Sequence, residues 1–63
     1  MPAPRSSLAS IATRLEELTE RVTEAANDLS GSDDETVAAA LYEVERSLRA
    51  ATRRLAAVVR ELG

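Results

Sequence analysis

Apolar residues recur along the first half of the chain at alternating steps of three and four positions. This spacing places them on one side of an α-helix, in the a and d positions of a heptad repeat. The stripe consists of Leu8, Ile11, Leu15, Leu18, Val22, Ala25 and Leu29. We therefore predict a first helix over about residues 7–29, with Ser6 or Ser7 capping its start.

The second half of the chain repeats the pattern with its own apolar stripe. Its members are Val37, Leu41, Val44, Leu48, Ala51, Leu55, Val58 and Leu62. Ser32 and Glu35 have the spacing of a capping box, in which each side chain bonds the backbone N–H of the other residue. These features predict a second helix over residues 33–62.

A short turn separates the two stripes and contains Gly31, which suits the left-handed residue after a helix end. Two long helices joined by about three residues must lie antiparallel and adjacent. The predicted fold class is therefore all-α: an antiparallel two-helix hairpin over residues 7–63, preceded by a disordered tail over 1–6. Helix two should overhang helix one by about seven residues.

A single hairpin of 63 residues cannot enclose a full core, because each helix has only one neighbour. The chain has no Cys for a disulfide and no His for a zinc site. The positions beside the stripes are also largely small or apolar, so the apolar surface is wider than one seam needs. On helix one the flank is Ala12, Thr19 and Ala26. On helix two one flank is Ala38, Tyr42, Glu45, Thr52, Ala56 and Val59, and the other is Ala40, Glu43, Ser47, Ala50, Arg54 and Ala57.

We expect two hairpins to pair into a four-helix bundle as a homodimer. Residues 15–45 hold ten of the eleven acidic residues, whereas both chain ends are basic. Antiparallel packing would bring the acidic turn of one hairpin to the basic ends of the other. A tetramer and a domain-swapped dimer with one continuous helix per chain remain open alternatives, although Gly31 favours the closed hairpin.

The predicted dimer and core interface takes most of its residues from the two stripes. Tyr42 and Val59 join it as flank residues. The full set is Leu15, Leu18, Val22, Leu29, Val37, Leu41, Tyr42, Val44, Leu48, Leu55, Val58, Val59 and Leu62.

The residue types argue against catalysis, and we predict no enzymatic activity, no cofactor and no metal. The chain lacks His, the commonest general base, so no such base is available to activate its scattered Ser and Thr hydroxyls. Carboxylates form a row at Glu17, Glu20, Glu24 and Asp28, but the heptad register turns this row toward solvent. Glu43 and Glu45 are expected to form ion pairs with nearby arginines.

Arginines follow one side of the second helix and form a candidate partner-facing surface: Arg46, Arg49, Arg53 and Arg60. Such a row could follow phosphates and make the chain a nucleic-acid-binding regulator. The net charge of −3 and the absence of Phe and Trp disfavour both nucleic acid and membranes. Intrahelical pairing or an acidic protein surface is the preferred interpretation.

The segment Leu41-Tyr42-Glu43-Val44-Glu45-Arg46-Ser47-Leu48 resembles the second-helix motif of the exonuclease VII small subunit. That family consists of short acidic helical hairpins. The resemblance covers about eight residues and has Val44 where the family usually has Phe. It implies a non-catalytic accessory subunit of a large nuclease.

Together these observations predict a protein–protein interaction module that acts as a homo-oligomer, in the role of adaptor, regulator or assembly factor. The alternative is an obligate accessory subunit whose apolar side is covered by a different protein. The first residues are too short and polar for a signal peptide, so we expect a cytoplasmic protein. The bias toward Ala and Arg is typical of a GC-rich bacterial genome.

Overall fold

The computed structural model describes residues 4–62, which form two helices packed side by side as a hairpin. Helix α1 spans Pro4–Leu29 and helix α2 spans Glu35–Leu62. The Cα trace measures 49 × 16 × 11 Å, so the hairpin is a single flat layer of two helices. The predicted all-α hairpin is confirmed.

Helix α1 starts earlier than the sequence predicted. Pro4 is its first residue, a position where proline is favoured because that backbone N–H would have no helical partner. Ser6 and Ser7 therefore lie inside the helix and do not cap it. Residues 4–6 of the predicted tail are helical, while residues 1–3 of that tail, and Gly63, lie outside the described residues.

The two helices are nearly equal in length, with 26 residues in α1 and 28 in α2. The predicted overhang of about seven residues is therefore wrong. At about 1.5 Å per residue the helices run about 39 and 42 Å, so each has a neighbour along almost its whole length.

The turn spans residues 30–34 and is two residues longer than predicted. Gly31 has a φ of +82°, which confirms its left-handed conformation. A Cβ atom at this position would meet nothing within 4 Å. Backbone conformation, and not lack of space, is therefore what favours glycine here.

Ser32 closes the turn and does not form the predicted capping box. Its hydroxyl donates to the carbonyl of Leu29 and accepts from the backbone N–H of Asp34 at 3.0 Å. The carbonyl of Asp34 accepts the first bond of α2, from the N–H of Ala38 at 3.0 Å. The serine is thus two residues too early to cap a helix that begins at Glu35.

The helices meet along a narrow seam of small side chains. Among residues 4–62 the buried ones are Thr19, Ala26 and Ala38, each no more than 2% exposed. All three belong to the predicted flanks. The apolar stripe residues that directly precede the seam positions in sequence, such as Leu18 and Val44, are almost half exposed. The predicted seam is therefore wrong in part. On both helices, one of its two heptad positions is replaced by the residue that follows it in sequence.

Threonine fits this seam because its hydroxyl bonds within its own helix. Thr19 Oγ1 donates to the carbonyl of Leu15 at 2.6 Å, and Thr52 Oγ1 donates to that of Leu48 at 2.8 Å. Within residues 4–62, no buried side-chain nitrogen or oxygen lacks a hydrogen-bond partner. A small, satisfied side chain lets the two backbones approach closely at little polar cost.

Candidate interaction surface

The rotation of the seam leaves a band of large aliphatic side chains on the outside. Of the residues that the structure describes, six large hydrophobic ones are between 44% and 53% exposed: Ile11, Leu18, Val37, Val44, Val58 and Leu62. All of them except Leu62 occupy the heptad position that directly precedes a seam position in sequence. We call these six, with the exposed Ala25 and Ala51 at the same heptad position, the apolar face.

The apolar face is one continuous surface, because the two helices contribute to the same side of the layer. In both helices the face position precedes the buried seam position by one residue, as Leu18 precedes Thr19 and Val37 precedes Ala38. Two antiparallel right-handed helices that meet along such seams turn their preceding residues to the same side. The apolar face thus extends along the whole hairpin.

A row of leucines lies between the seam and the apolar face and contributes side-chain surface to each of them. They are only half-buried by the hairpin, so part of each side chain remains available to a partner. Of the predicted interface residues, Leu15, Val22, Leu29, Leu41, Tyr42, Leu48, Leu55 and Val59 are half-buried, and Leu18, Val37, Val44, Val58 and Leu62 are exposed.

The total exposed surface of the hairpin is large for its mass. It amounts to 4839 Å², whereas a compact monomer of 6.8 kDa would expose about 4,000 Å². A contiguous exposed aliphatic surface marks an interaction site in most proteins. The apolar face is therefore the candidate functional site of this chain.

Tyr42 lies on the opposite side of the layer from the apolar face. Its hydroxyl donates to Asn27 Oδ1 of helix α1 at 2.6 Å. Thr23 on α1 also donates from its hydroxyl to Glu45 Oε2 of α2. Both bonds join the two helices on this polar side, so they fix the register of α1 relative to α2 along the helix axes.

Glu45 is the centre of a small polar cluster. Its Oε2 accepts from Thr23 and from Arg49 Nη2, the latter at 3.1 Å in an i,i+4 ion pair. The hydrogen bond from Thr23, followed by that from Arg49, holds the pKa of Glu45 below its ordinary value of 4.5. The carboxylate is therefore kept ionised beside the seam, with its side chain 20% exposed.

The predicted arginine row contains both paired and unpaired members. Arg49 bonds Glu45, and Arg46 Nη1 lies 3.6 Å from Glu43 Oε1, which confirms the expected pairing of the two glutamates. Within residues 4–62, Arg53 and Arg60 make no ion pair within 4.0 Å. Two of the four arginines are thus paired with carboxylates of their own helix, which disfavours the row as a phosphate-binding surface.

The carboxylates of α1 do not gather into a metal site. Among the described residues there is no group of three or more acidic side chains placed to hold a metal ion. On the polar side, the groove between the helices has oppositely charged walls. It is lined by Glu16, Thr19, Glu20, Arg49, Thr52 and Arg53.

The predicted interface omitted one prominent residue and did not separate two kinds of position. Ile11 is 48% exposed on the apolar face but was absent from the predicted set. Its place in the heptad stripe was the signal that could have included it. The division between seam and face was not visible in the sequence, because hydrophobicity alone would bury the larger Leu18 and not its neighbour Thr19.

Comparison with known proteins assigns no family. No protein-family model matches the chain, and neither a curated protein nor a solved structure is significantly similar to it. Neither helix, over the part of the chain that is described, is both long and apolar enough to cross a membrane. The functional interpretation therefore depends on the geometry of the hairpin.

Proposed function

We propose that this chain is a non-enzymatic protein–protein interaction module that acts as a homo-oligomer. The apolar face carries the proposal. In this account two hairpins place their apolar faces together and form a four-helix bundle. The half-buried leucines then become the core of the bundle, and the charged sides of both hairpins remain outside.

Charge supports an antiparallel arrangement of the two hairpins. The turn end carries Asp28, Asp33, Asp34 and Glu35, whereas the other end carries Arg5, Arg14, Arg53, Arg54 and Arg60 against the single acidic residue Glu61. Parallel packing would place the two acidic turns side by side. Antiparallel packing places each acidic turn beside basic ends, and a sum of individually weak pairs then favours one of two otherwise similar arrangements.

The outer, charged surface is where a further partner would dock in the role of adaptor, regulator or assembly factor. We place the protein in the cytoplasm. Nucleic acid is the weaker candidate partner, because Arg46 and Arg49 already have carboxylate partners on α2 and the chain is net acidic. Ala substitutions at Arg53 and Arg60 that abolish salt-sensitive DNA or RNA binding would favour nucleic acid instead.

The test is the mass of the chain in solution with and without a charge on the apolar face. Val44→Glu places a carboxylate on the apolar face. Ser47→Glu introduces the same group one turn later, at an exposed position outside the face. Size-exclusion chromatography with light scattering should show a dimer for the unmodified chain and for Ser47→Glu, and a monomer for Val44→Glu.

A folded monomer for the unmodified chain would overturn the proposal. A poorly helical, polydisperse sample would also overturn it and favour the accessory-subunit alternative, since the apolar face would then require a different protein. Equal masses for Val44→Glu and Ser47→Glu would show that association uses another surface.

A further inference from the structure

The cross-helix hydrogen bonds fix which residues of the apolar face lie level with each other. Thr23 is level with Glu45, and Asn27 with Tyr42. Counting along antiparallel helices from these pairs places Ile11 level with Val58, Leu18 with Ala51, and Ala25 with Val44. The apolar face therefore consists of three successive levels with two residues each, extended by Val37 and Leu62 at its ends.

Two flat hairpins can pack face to face with two-fold symmetry in two ways. If the axis runs along the helices, α1 lies on α2 of the second copy and each level meets the same level. If the axis runs across the helices, α1 lies on α1 and α2 on α2. The levels are then exchanged about the middle one, which contains Leu18 and Ala51.

The side-chain sizes distinguish the two arrangements. Counting side-chain carbons as four for Leu or Ile, three for Val and one for Ala, the axis along the helices gives levels of roughly 14, 10 and 8 carbons. The axis across the helices gives roughly 11, 10 and 11. The leucines between the seam and the face are almost uniform along the hairpin, so they favour neither arrangement.

Levels with equal numbers of side-chain carbons can be close-packed while the two hairpins stay at one constant separation. Unequal levels force the layers apart at Ile11 and Val58 or leave a cavity at Ala25 and Val44, and close-packed interiors tolerate neither. Ala25 by itself is too small to complete its level. The opposite copy supplies the missing volume when Ile11 lies over it.

We infer that the partner of the apolar face is a second copy, packed with α2 on α2 and α1 on α1 about a two-fold axis at Ala51 and Leu18. Ala51 faces Ala51 of the second copy, Val44 faces Val58, and Ala25 faces Ile11. This arrangement rests on the proposed self-association and adds its axis and pairing. Side-chain sizes and charges, which belong to different residues, favour the same arrangement.

Cysteine cross-linking tests the pairing directly, because the natural chain contains no Cys. Ala51→Cys should form a disulfide-linked dimer under mild oxidation, since only this arrangement brings position 51 next to itself. Ala39→Cys, exposed on the other side of α2, should link only at the background rate. In mixtures of single variants, Val44→Cys should link to Val58→Cys and not to Ala25→Cys.

Each outcome separates the pairing from the association itself. A dimer by light scattering in which Val44→Cys links to Ala25→Cys, and Ala51→Cys does not link to itself, would overturn the axis and leave the proposed function standing. A monomer by light scattering, with no variant linked above the Ala39→Cys background, would overturn both. Linkage of Ala51→Cys and of the Val44–Val58 pair together is the predicted result.

Discussion

Leu18 and Thr19 are neighbours in sequence and have opposite environments: Thr19 is 2% exposed in the seam, and Leu18 is 49% exposed on the apolar face. The more hydrophobic side chain is the one left in solvent. In a self-sufficient hairpin the reverse would be favoured, because burying a leucine contributes about 1.5–3 kcal/mol. The hairpin thus buries small side chains between its helices and leaves large aliphatic side chains exposed, where a second layer of helices could cover them.

Close approach of the helices at Ala38 should make this position intolerant of larger side chains. We predict that Ala38→Leu destabilises the fold by about 1–3 kcal/mol, because a buried small-to-large change overpacks the seam. Ala39→Leu introduces the same side chain at the next, exposed position and should change stability by less than about 0.5 kcal/mol. Chemical denaturation of both variants checks this. Equal stabilities would mean that the helices do not meet at Ala38.

Gly31 should matter through its backbone conformation alone. Gly31→Ala is expected to cost about 1–2 kcal/mol, since an L-residue is strained in the left-handed region. Gly31→Asn should cost less, because asparagine tolerates this conformation better. Thermal unfolding followed by circular dichroism gives the ranking. If Ala and Asn are equally well tolerated, the turn does not depend on a left-handed residue.

The bond between Thr23 and Glu45 predicts a pH-dependent contribution to stability. Because the pKa of Glu45 is lowered in the folded chain, its ionised form stabilises the fold above about pH 4.5, the ordinary value. This stabilisation is lost as the pH falls through the lowered folded value. Thr23→Val removes the donor, so it should lower the melting temperature at pH 7, and the difference from the natural chain should shrink as the pH falls below the ordinary value of 4.5.

A matched control is Thr13→Val, which removes an exposed hydroxyl that bonds only the carbonyl of Ala9 in its own helix, at 3.2 Å. It should lack the pH-dependent part of the Thr23→Val effect. Melting curves from pH 7 to pH 3 compare the three proteins. A Thr23→Val effect that stays constant across this range would contradict the role assigned to Glu45.

Tyr42 should contribute to the hairpin and not to association. Tyr42→Phe removes the bond to Asn27 while keeping the ring, so we expect a loss of about 0.5–1.5 kcal/mol. The mass in solution should stay unchanged, because Tyr42 lies on the side opposite the apolar face. Dissociation of the oligomer by Tyr42→Phe would instead support the interface role that the sequence suggested for this residue.

The helices, their hairpin arrangement and the left-handed Gly31 were all predictable, because they follow from periodicity and turn chemistry. The seam was not. A hydrophobicity pattern predicts that Leu18 is buried in preference to Thr19. Close packing of the two helices instead favours the smaller side chain, and the Thr19 hydroxyl can be buried because it donates to the carbonyl of Leu15. The start of α1 at Pro4 was missed because capping by Ser6 or Ser7 was expected, whereas proline is itself favoured at the first position of a helix.

The central claim is that the apolar face completes the fold by pairing with a second copy. The most direct test follows mass by light scattering and helicity by circular dichroism on one dilution series of the natural chain. We predict a mass of about twice 6.8 kDa with high helicity, and a common concentration midpoint at which mass and helicity both fall on dilution. A mass near 6.8 kDa with undiminished helicity at every concentration would contradict it.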